Sequence, residues 1–142
     1  INYVNPKIVA GAVVVVEGGL LLCRRAISPR KGFWTLPAGF MEEGETVEQA
    51  AIREAQEEAN AALELQGLLA VYSVPHISQV HIMFLAQLKS PGFSPGPESL
   101  ETAVFPLNAL PMDELAFPTV AWAIADYRKV LAGERGPFSN PT

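Results

Sequence analysis

A helix-forming segment, Thr46 through Ala59, stands between runs of strand-forming residues, and a second, Thr119 through Leu131, follows the last of them. Strands on both sides of one helix, with another helix at the end, bury their apolar faces only if a sheet lies between helical layers. The pattern therefore predicts a mixed α/β (α+β) fold with a central sheet. The first helix announces its own start. Thr46 followed by Gln49 has the form of a capping box, in which each side chain satisfies the backbone N–H of the other residue. Thr119 after Pro118 is the expected cap of the second helix, and Gly133 its stop.

The strand runs are Ile8–Val16, Leu20–Cys23, Phe33–Leu36, Leu63–Val74, Val80–Leu88 and Thr102–Pro106. Glu17-Gly18-Gly19 predicts a hairpin between the first two, because glycine supplies the positive φ that tight turns demand. Residues 39–44 are expected to be an acidic turn, and the Pro- and Gly-rich stretch 90–99 a loop. That loop is too long to be an idle connection. The expectation is one domain over residues 1–142, with 133–142 as a frayed tail.

With one cysteine, the chain can form neither an internal disulfide nor a cysteine-based zinc site. Ten Lys+Arg against 15 Asp+Glu give a net charge of −5, which argues against a nucleic-acid-coating surface. An anionic substrate would need local basic residues or a metal. The longest apolar run, Ile8–Val16, has nine residues, well short of the roughly 18 of a membrane span. A soluble, cytoplasmic protein is expected.

On the first helix positions advance by 100°, so Glu54, Glu57 and Glu58 fall within an arc of about 100°. They flank the apolar stripe Ala51, Ile52, Ala55 and Ala59. Like charges at these spacings repel by about 0.2–0.5 kcal/mol per pair, more when half buried. A hard divalent cation with oxygen ligands would relieve that repulsion. Taken alone, such a run is equally at home on a solvated face. Arg53 lies one turn before Glu57 and can hold its carboxylate.

The longer pattern is more specific. Gly39, Glu45, Arg53, Glu54, Glu57 and Glu58 resemble the Nudix box, G-x5-E-x7-R-E-U-x-E-E-x-G-U with U aliphatic. At average residue usage, six fixed matches arise by chance on the order of 10⁻⁵ times in such a chain. Asn60 stands where the box has its last glycine, and Ala55 and Ala61 where bulkier aliphatics are usual. Asparagine is the side chain best suited to a left-handed helix end, so the turn should survive. Further stretches, NPKIVAG (5–11), LLCRRAISPRKGFWTLPAGFMEEGET (21–46), VPHISQV (74–80), GPESLE (96–101) and DELAF (113–117), resemble a Nudix subgroup related to ADP-ribose pyrophosphatases and plant FAD/ADP-ribose diphosphatases. Members often carry a zinc ribbon ahead of the NP pair. It is absent here, and the expectation is a chain that begins after it.

The resemblance implies an α/β/α sandwich and hydrolysis of a nucleoside diphosphate linked to another moiety, giving AMP plus a monophosphate. It implies Mg²⁺ or Mn²⁺ held by Glu54, Glu57, Glu58 and the Gly39 carbonyl, with Arg53 and Glu57 in the catalytic set. Glu45 is expected to pair with Arg53 rather than bind metal. A general base is expected on a loop, Glu98 first and Glu101 second, with Glu101 otherwise a substrate contact. Arg24, Arg25 and Arg30 are candidate phosphate ligands, and Phe40 a candidate stacking surface. His76 and His81 read as polar contacts, Cys23 and Trp122 as core. The chain lacks the S-Q-P-W-P-F-P-x-S stretch of NADH pyrophosphatases, and Pro75 lies about where ADP-ribose pyrophosphatases tend to have a proline. ADP-ribose, FAD and NADH remain open as substrates, with no nucleic-acid or membrane partner and a homodimer left open. A house-cleaning nucleoside triphosphatase and a non-catalytic nucleotide-sensing module are the alternatives.

Overall fold

The expected opening hairpin forms, and its first strand holds the whole sheet together. The computed structural model describes residues 4–142. β1 (Lys7–Val16) and β2 (Gly19–Arg25) meet at Val15↔Leu20 and Val16↔Gly19 across a turn whose Glu17 and Gly18 both have positive φ, 49° and 79°. Beyond that pair the two strands part. The gap is filled by β3 (Trp34–Thr35) on β2 and β4 (Ala38–Phe40) on β1. The helix α1 (Val47–Ala59) follows. β5 (Leu63–Val74) then pairs antiparallel with β6 (Gln79–Leu88), which returns alongside β1 in parallel from Lys7↔Gln79 to Val15↔Gln87. β7 (Ser99–Phe105) covers the other edge of β2, and α2 (Pro118–Leu131) closes the fold. The result is the expected mixed sheet between two helices, an α/β/α sandwich.

The two cores follow from strand alternation. Ala10, Ala12, Val14, Leu21 and Cys23 face α1, whose Ala50, Ala51, Ala55 and Ala59 are all fully buried. Val13, Leu20, Leu22, Tyr72 and Met83 face α2, meeting Val120, Ala123, Ile124 and Tyr127. On that second side the Tyr72 hydroxyl donates to the buried carboxylate of Asp126, whose other oxygen lies 3.3 Å from Lys129 Nζ. Among the described residues, no helix is long and apolar enough to cross a membrane.

Four expectations need correction. Residues 39–40 of the expected turn over 39–44 belong to a strand, because the gap between β1 and β2 offers unpaired backbone to any segment entering it, and the turn is confined to 43–44. Ile52 is exposed, and Ala50 takes its place in the stripe. α2 is capped by Phe117 with Pro118 in the first helical turn, so Thr119 lies inside the helix. The tail over 133–142 is docked rather than frayed. Phe138 N–H donates to the Leu69 carbonyl (2.8 Å), Val71 N–H donates to the Phe138 carbonyl (3.0 Å), and the Asn140 amide bonds the Ser73 backbone twice at 2.8 Å. β5 is an edge strand, and its free backbone groups give the tail a partner.

Candidate active site

α1 carries the acidic residues and β4 is the wall they press against. Thr46 caps α1 with the full box: its side chain accepts from Gln49 N–H (3.1 Å), and the Gln49 side chain accepts from Thr46 N–H (2.9 Å). This fixes where the helix begins, and so which face the glutamates occupy. Glu54 lies against Gly39, where an added Cβ would come within 2.3 Å of its carboxyl carbon. A side chain at position 39 would displace that carboxylate from its present place. One residue earlier, Ala38 N–H donates to Glu58 Oε2 at 2.8 Å.

Arg53 is the hub of the acidic face. It grips Glu45 with two bonds, Nε to Oε2 at 2.6 Å and Nη2 to Oε1 at 3.0 Å. Its Nη1 also reaches Glu54 (2.9 Å) and Glu57 (3.1 Å), and Nη2 donates to the Phe40 carbonyl (3.0 Å). Arg53 therefore ties helix, β4 and the preceding turn together, and Glu45 is its partner as expected. The Glu54 side chain is 13% exposed and that of Glu57 57%, so the two face different surroundings.

Burial pushes the Glu54 carboxyl above its ordinary range against the pull of Arg53, and the charges of Glu57 and Glu98 add to the rise. Glu58 is pushed up to about 8, first by burial and then by Glu54, with Ala38 N–H opposing. Two buried carboxyls that resist ionisation side by side are a site short of positive charge. Among the described residues, no three His, Cys, Asp or Glu side chains already close on one point. Glu54 and Glu57 are instead drawn onto Arg53. The oxygen-only donor set, the cradle over Gly39 and the raised carboxyls nonetheless fit a hard divalent cation.

The other side of β4 lines a cleft of about 640 Å³. Ala38, Gly39 and Phe40 form one wall, and Phe117, Thr119 and Trp122 of the α2 entrance another. Trp122, expected in the core, packs half-buried against the α2-side core, edge-on to Tyr72 at 5.4 Å, and also lines the cleft. His76 and His81 line the same cleft. His81 Nε2 is 2.8 Å from Gln79 Oε1, and burial lowers its pKa, which favours a neutral ring. Neither Trp122 nor Phe117 carried a spacing signal, because the cleft joins strand ends to the start of a helix remote in sequence.

The three basic candidates separate. Arg25 lines the cleft, stacks 5.1 Å from the Phe117 ring and offsets the charge of Glu58. Arg24 faces the other way, bonding Glu101 (2.9 Å) and the Gly32 carbonyl (2.9 Å). Glu101 is thus paired across the β2–β7 ladder, away from the carboxylates of α1. Arg30 sits over Phe33 at 5.2 Å and does not line the cleft. Glu98 is exposed, close enough to Glu54 and Glu58 for its charge to raise both. Phe40 is 47% exposed beneath Lys7, at the rim. Cys23 is buried, as expected, and burial pushes its thiol pKa up.

Comparison with known proteins identifies the family. The family described as NUDIX domain matches residues 5–124. An ADP-ribose pyrophosphatase of Methanocaldococcus jannaschii is 35% identical over 121 residues, covering 81% of this chain and 69% of its own. The 8-oxo-dGDP phosphatase NUDT18 of Homo sapiens is 38% identical over 96 residues, 65% of this chain and 29% of that longer protein. The crystal structure of a NUDIX hydrolase from Nitrosomonas europaea superposes with a TM-score of 0.91 at 44% identity, over 97% of this chain and 80% of its own.

Proposed function

The chain belongs to the NUDIX domain family of hydrolases, and on that footing we propose that it cleaves the diphosphate bond of a nucleoside diphosphate linked to a second moiety, ADP-ribose first among the candidates. The observation that carries this reading is the double use of β4. Three residues separate a cluster of carboxylates from an apolar cleft, so a diphosphate at the edge of the strand meets one while its base enters the other.

Each part then has a task. Phe117 and Trp122 offer aromatic surface to a base, and Arg25 at the cleft wall meets phosphate charge. Arg53 holds Glu54 and Glu57 in register and gathers β4 through the Phe40 carbonyl. Nudix hydrolases generally use divalent metals, and Glu54, Glu57, Glu58 and the Gly39 carbonyl are the groups here that would hold Mg²⁺ or Mn²⁺. Such a cation supplies positive charge against the diphosphate and acidifies water. Glu98 accepts the proton of the attacking water as its oxygen bonds to phosphorus and the bridging P–O bond breaks. From ADP-ribose the products are AMP and ribose 5-phosphate.

The 8-oxo-dGDP phosphatase relative supports a second reading, a nucleotide-cleansing phosphatase whose base occupies the same cleft. One panel separates the two: ADP-ribose, FAD, NADH, 8-oxo-dGDP and a nucleoside triphosphate, each with Mg²⁺, Mn²⁺ or chelator. Release of AMP from ADP-ribose, lost in chelator, is the expected result. Turnover confined to 8-oxo-dGDP or the triphosphate would replace the reading, and no turnover of any member would remove it.

A further inference from the structure

The loop over residues 93–99 docks on the C-terminal end of α1. Ser94 N–H donates to the Ala59 carbonyl (2.8 Å) and Gly96 N–H to the Glu58 carbonyl (3.0 Å), which also accepts from the Ser99 hydroxyl (2.8 Å). These are the carbonyls that the end of a helix leaves without partners. The approach is as close as it can be, since a Cβ on Gly96 would lie 1.7 Å from the Glu57 carbonyl oxygen, a backbone atom that cannot step aside. From the helix side, Asn60 adopts the left-handed conformation (φ 46°, ψ 37°) that a glycine would also adopt. It does something glycine cannot. Its Nδ2 reaches Ser94 O (3.2 Å), Ser94 Oγ (3.1 Å) and Pro95 O (3.3 Å). Two residues beyond Gly96, the Glu98 carbonyl accepts from Ala26 N–H (2.9 Å). Glu98 is thus suspended between the helix end and the segment that follows β2.

We propose that this docking fixes Glu98 beside the carboxylates of α1, and that Asn60 and Gly96 are positioning residues for proton transfer at Glu98. The inference rests on the reading of Glu98 as the base. It explains why an asparagine at the helix end is more than a tolerated stand-in for glycine, and why the loop cannot carry a side chain at 96. A helix cap alone would require neither the Asn60 amide contacts nor any link to Glu98.

The test uses Asn60→Gly, Gly96→Ala and Glu98→Gln, singly and with each of the first two combined with the third, on whichever substrate of the panel is turned over. Asn60→Gly should lower kcat about 3- to 10-fold and Gly96→Ala about 10- to 100-fold, the scale of a reacting group displaced by an ångström or less. KM and the thermal shift produced by Mn²⁺ alone should stay near the parent's. Amide exchange at Ser94 and Gly96 should quicken in both variants. In the Glu98→Gln background, each change should cost less than about twofold, because the group being positioned is gone. Equal losses with and without Glu98, or Mn²⁺ binding that weakens in step with kcat, would reduce the contact to a structural cap and overturn the proposal. Asn60→Gly with unchanged kcat and unchanged exchange would overturn it too. Should Gly96→Ala fail to fold, Asn60→Gly decides alone, since glycine accepts the helix end. Glu98→Gln at parental turnover would remove the base assignment itself, an outcome distinct from failed coupling.

Discussion

Replacing Glu58 with glutamine should make the metal-free protein more stable at alkaline pH while weakening its response to metal. The Glu58 carboxyl is raised from 4.5 to about 8, chiefly by burial and next by Glu54. A group whose folded pKa lies above its unfolded value contributes stability that is complete below the unfolded pKa and is lost as pH climbs through the folded one. Between pH 4.5 and 8 the folded state holds a proton that the unfolded state has released, so stability falls by up to about 1.4 kcal/mol per pH unit. Over that window the ceiling is about 5 kcal/mol; since the site keeps some contact with solvent, about 2–3 kcal/mol is expected. Glutamine preserves the shape and can still accept the Ala38 N–H, and it carries no charge to bury. Urea unfolding in chelator at half-unit steps from pH 4.5 to 8.5 reads the difference. The two proteins should match within about 0.5 kcal/mol at pH 4.5 and separate steadily above it, with the Glu58→Gln variant the more stable. Adding Mn²⁺ at pH 8 should then stabilise the parent more, through binding to the folded state. Parallel curves, or a glutamine variant less stable at pH 8, would refute the picture of two unrelieved buried carboxyls.

Glu57→Gln should lower Mn²⁺ affinity and turnover together, whereas Glu98→Gln should keep the metal-induced thermal shift and lose about 10²–10⁴-fold in kcat; titration calorimetry with Mn²⁺ beside steady-state kinetics compares them. Trp122→Ala should raise KM for the preferred substrate several-fold more than it lowers kcat, because the role proposed for the aromatic wall of the cleft is contact with the base rather than with the reacting phosphate. Phe138→Ala should destabilise the fold by about 1–3 kcal/mol in urea, as a half-buried ring leaves the α2-side core and the strap over β5 loosens. A frayed tail would give no loss at all.

What could be read from the chain is what its local chemistry determines. Thr46 and Gln49 are three residues apart, and their reciprocal bonds start α1 wherever the rest of the protein lies. The shared face of Glu54, Glu57 and Glu58 follows from helical geometry alone, and the left-handed end at Asn60 is implied by the resemblance, in which asparagine replaces the glycine of the box. The misreadings of β4 and of the tail involve partners distant in sequence. β4 is a strand only because β1 and β2 part, the tail is ordered only because β5 is an edge, and Trp122 lines a cleft only because α2 begins opposite β4. The cap of α2 is the exception. There Pro118 occupies the first turn, its missing N–H costs nothing, and no side-chain cap is made, so the polar Thr119 is a false lead.

Small residues connect the legible part to the hidden part. Gly11 on β1 has no room for a side chain, since its Cβ would fall 2.4 Å from that of Ala38, and Gly39 has none because of Glu54. Ala50, Ala51, Ala55 and Ala59 let α1 settle close to the sheet on the same side. Together they turn the β1–β4–α1 region into a wall one strand thick, with carboxylates on one side and an apolar cleft on the other. Bulkier residues at these positions would thicken that wall and separate the proposed site of diphosphate cleavage from the proposed site of the base. Ala55, which departs from the bulkier aliphatic of the family's box, is therefore part of the site's geometry, together with Ala50, Ala51 and Ala59. A Gly11→Ala variant should show this directly: the added methyl must push β4 outward, toward Glu54. Turnover should drop by more than the roughly 1–3 kcal/mol loss of stability explains, with the shortfall still present at temperatures where the variant is fully folded. Full activity in a folded Gly11→Ala protein would mean that the wall has slack, and that its thinness does not govern the chemistry.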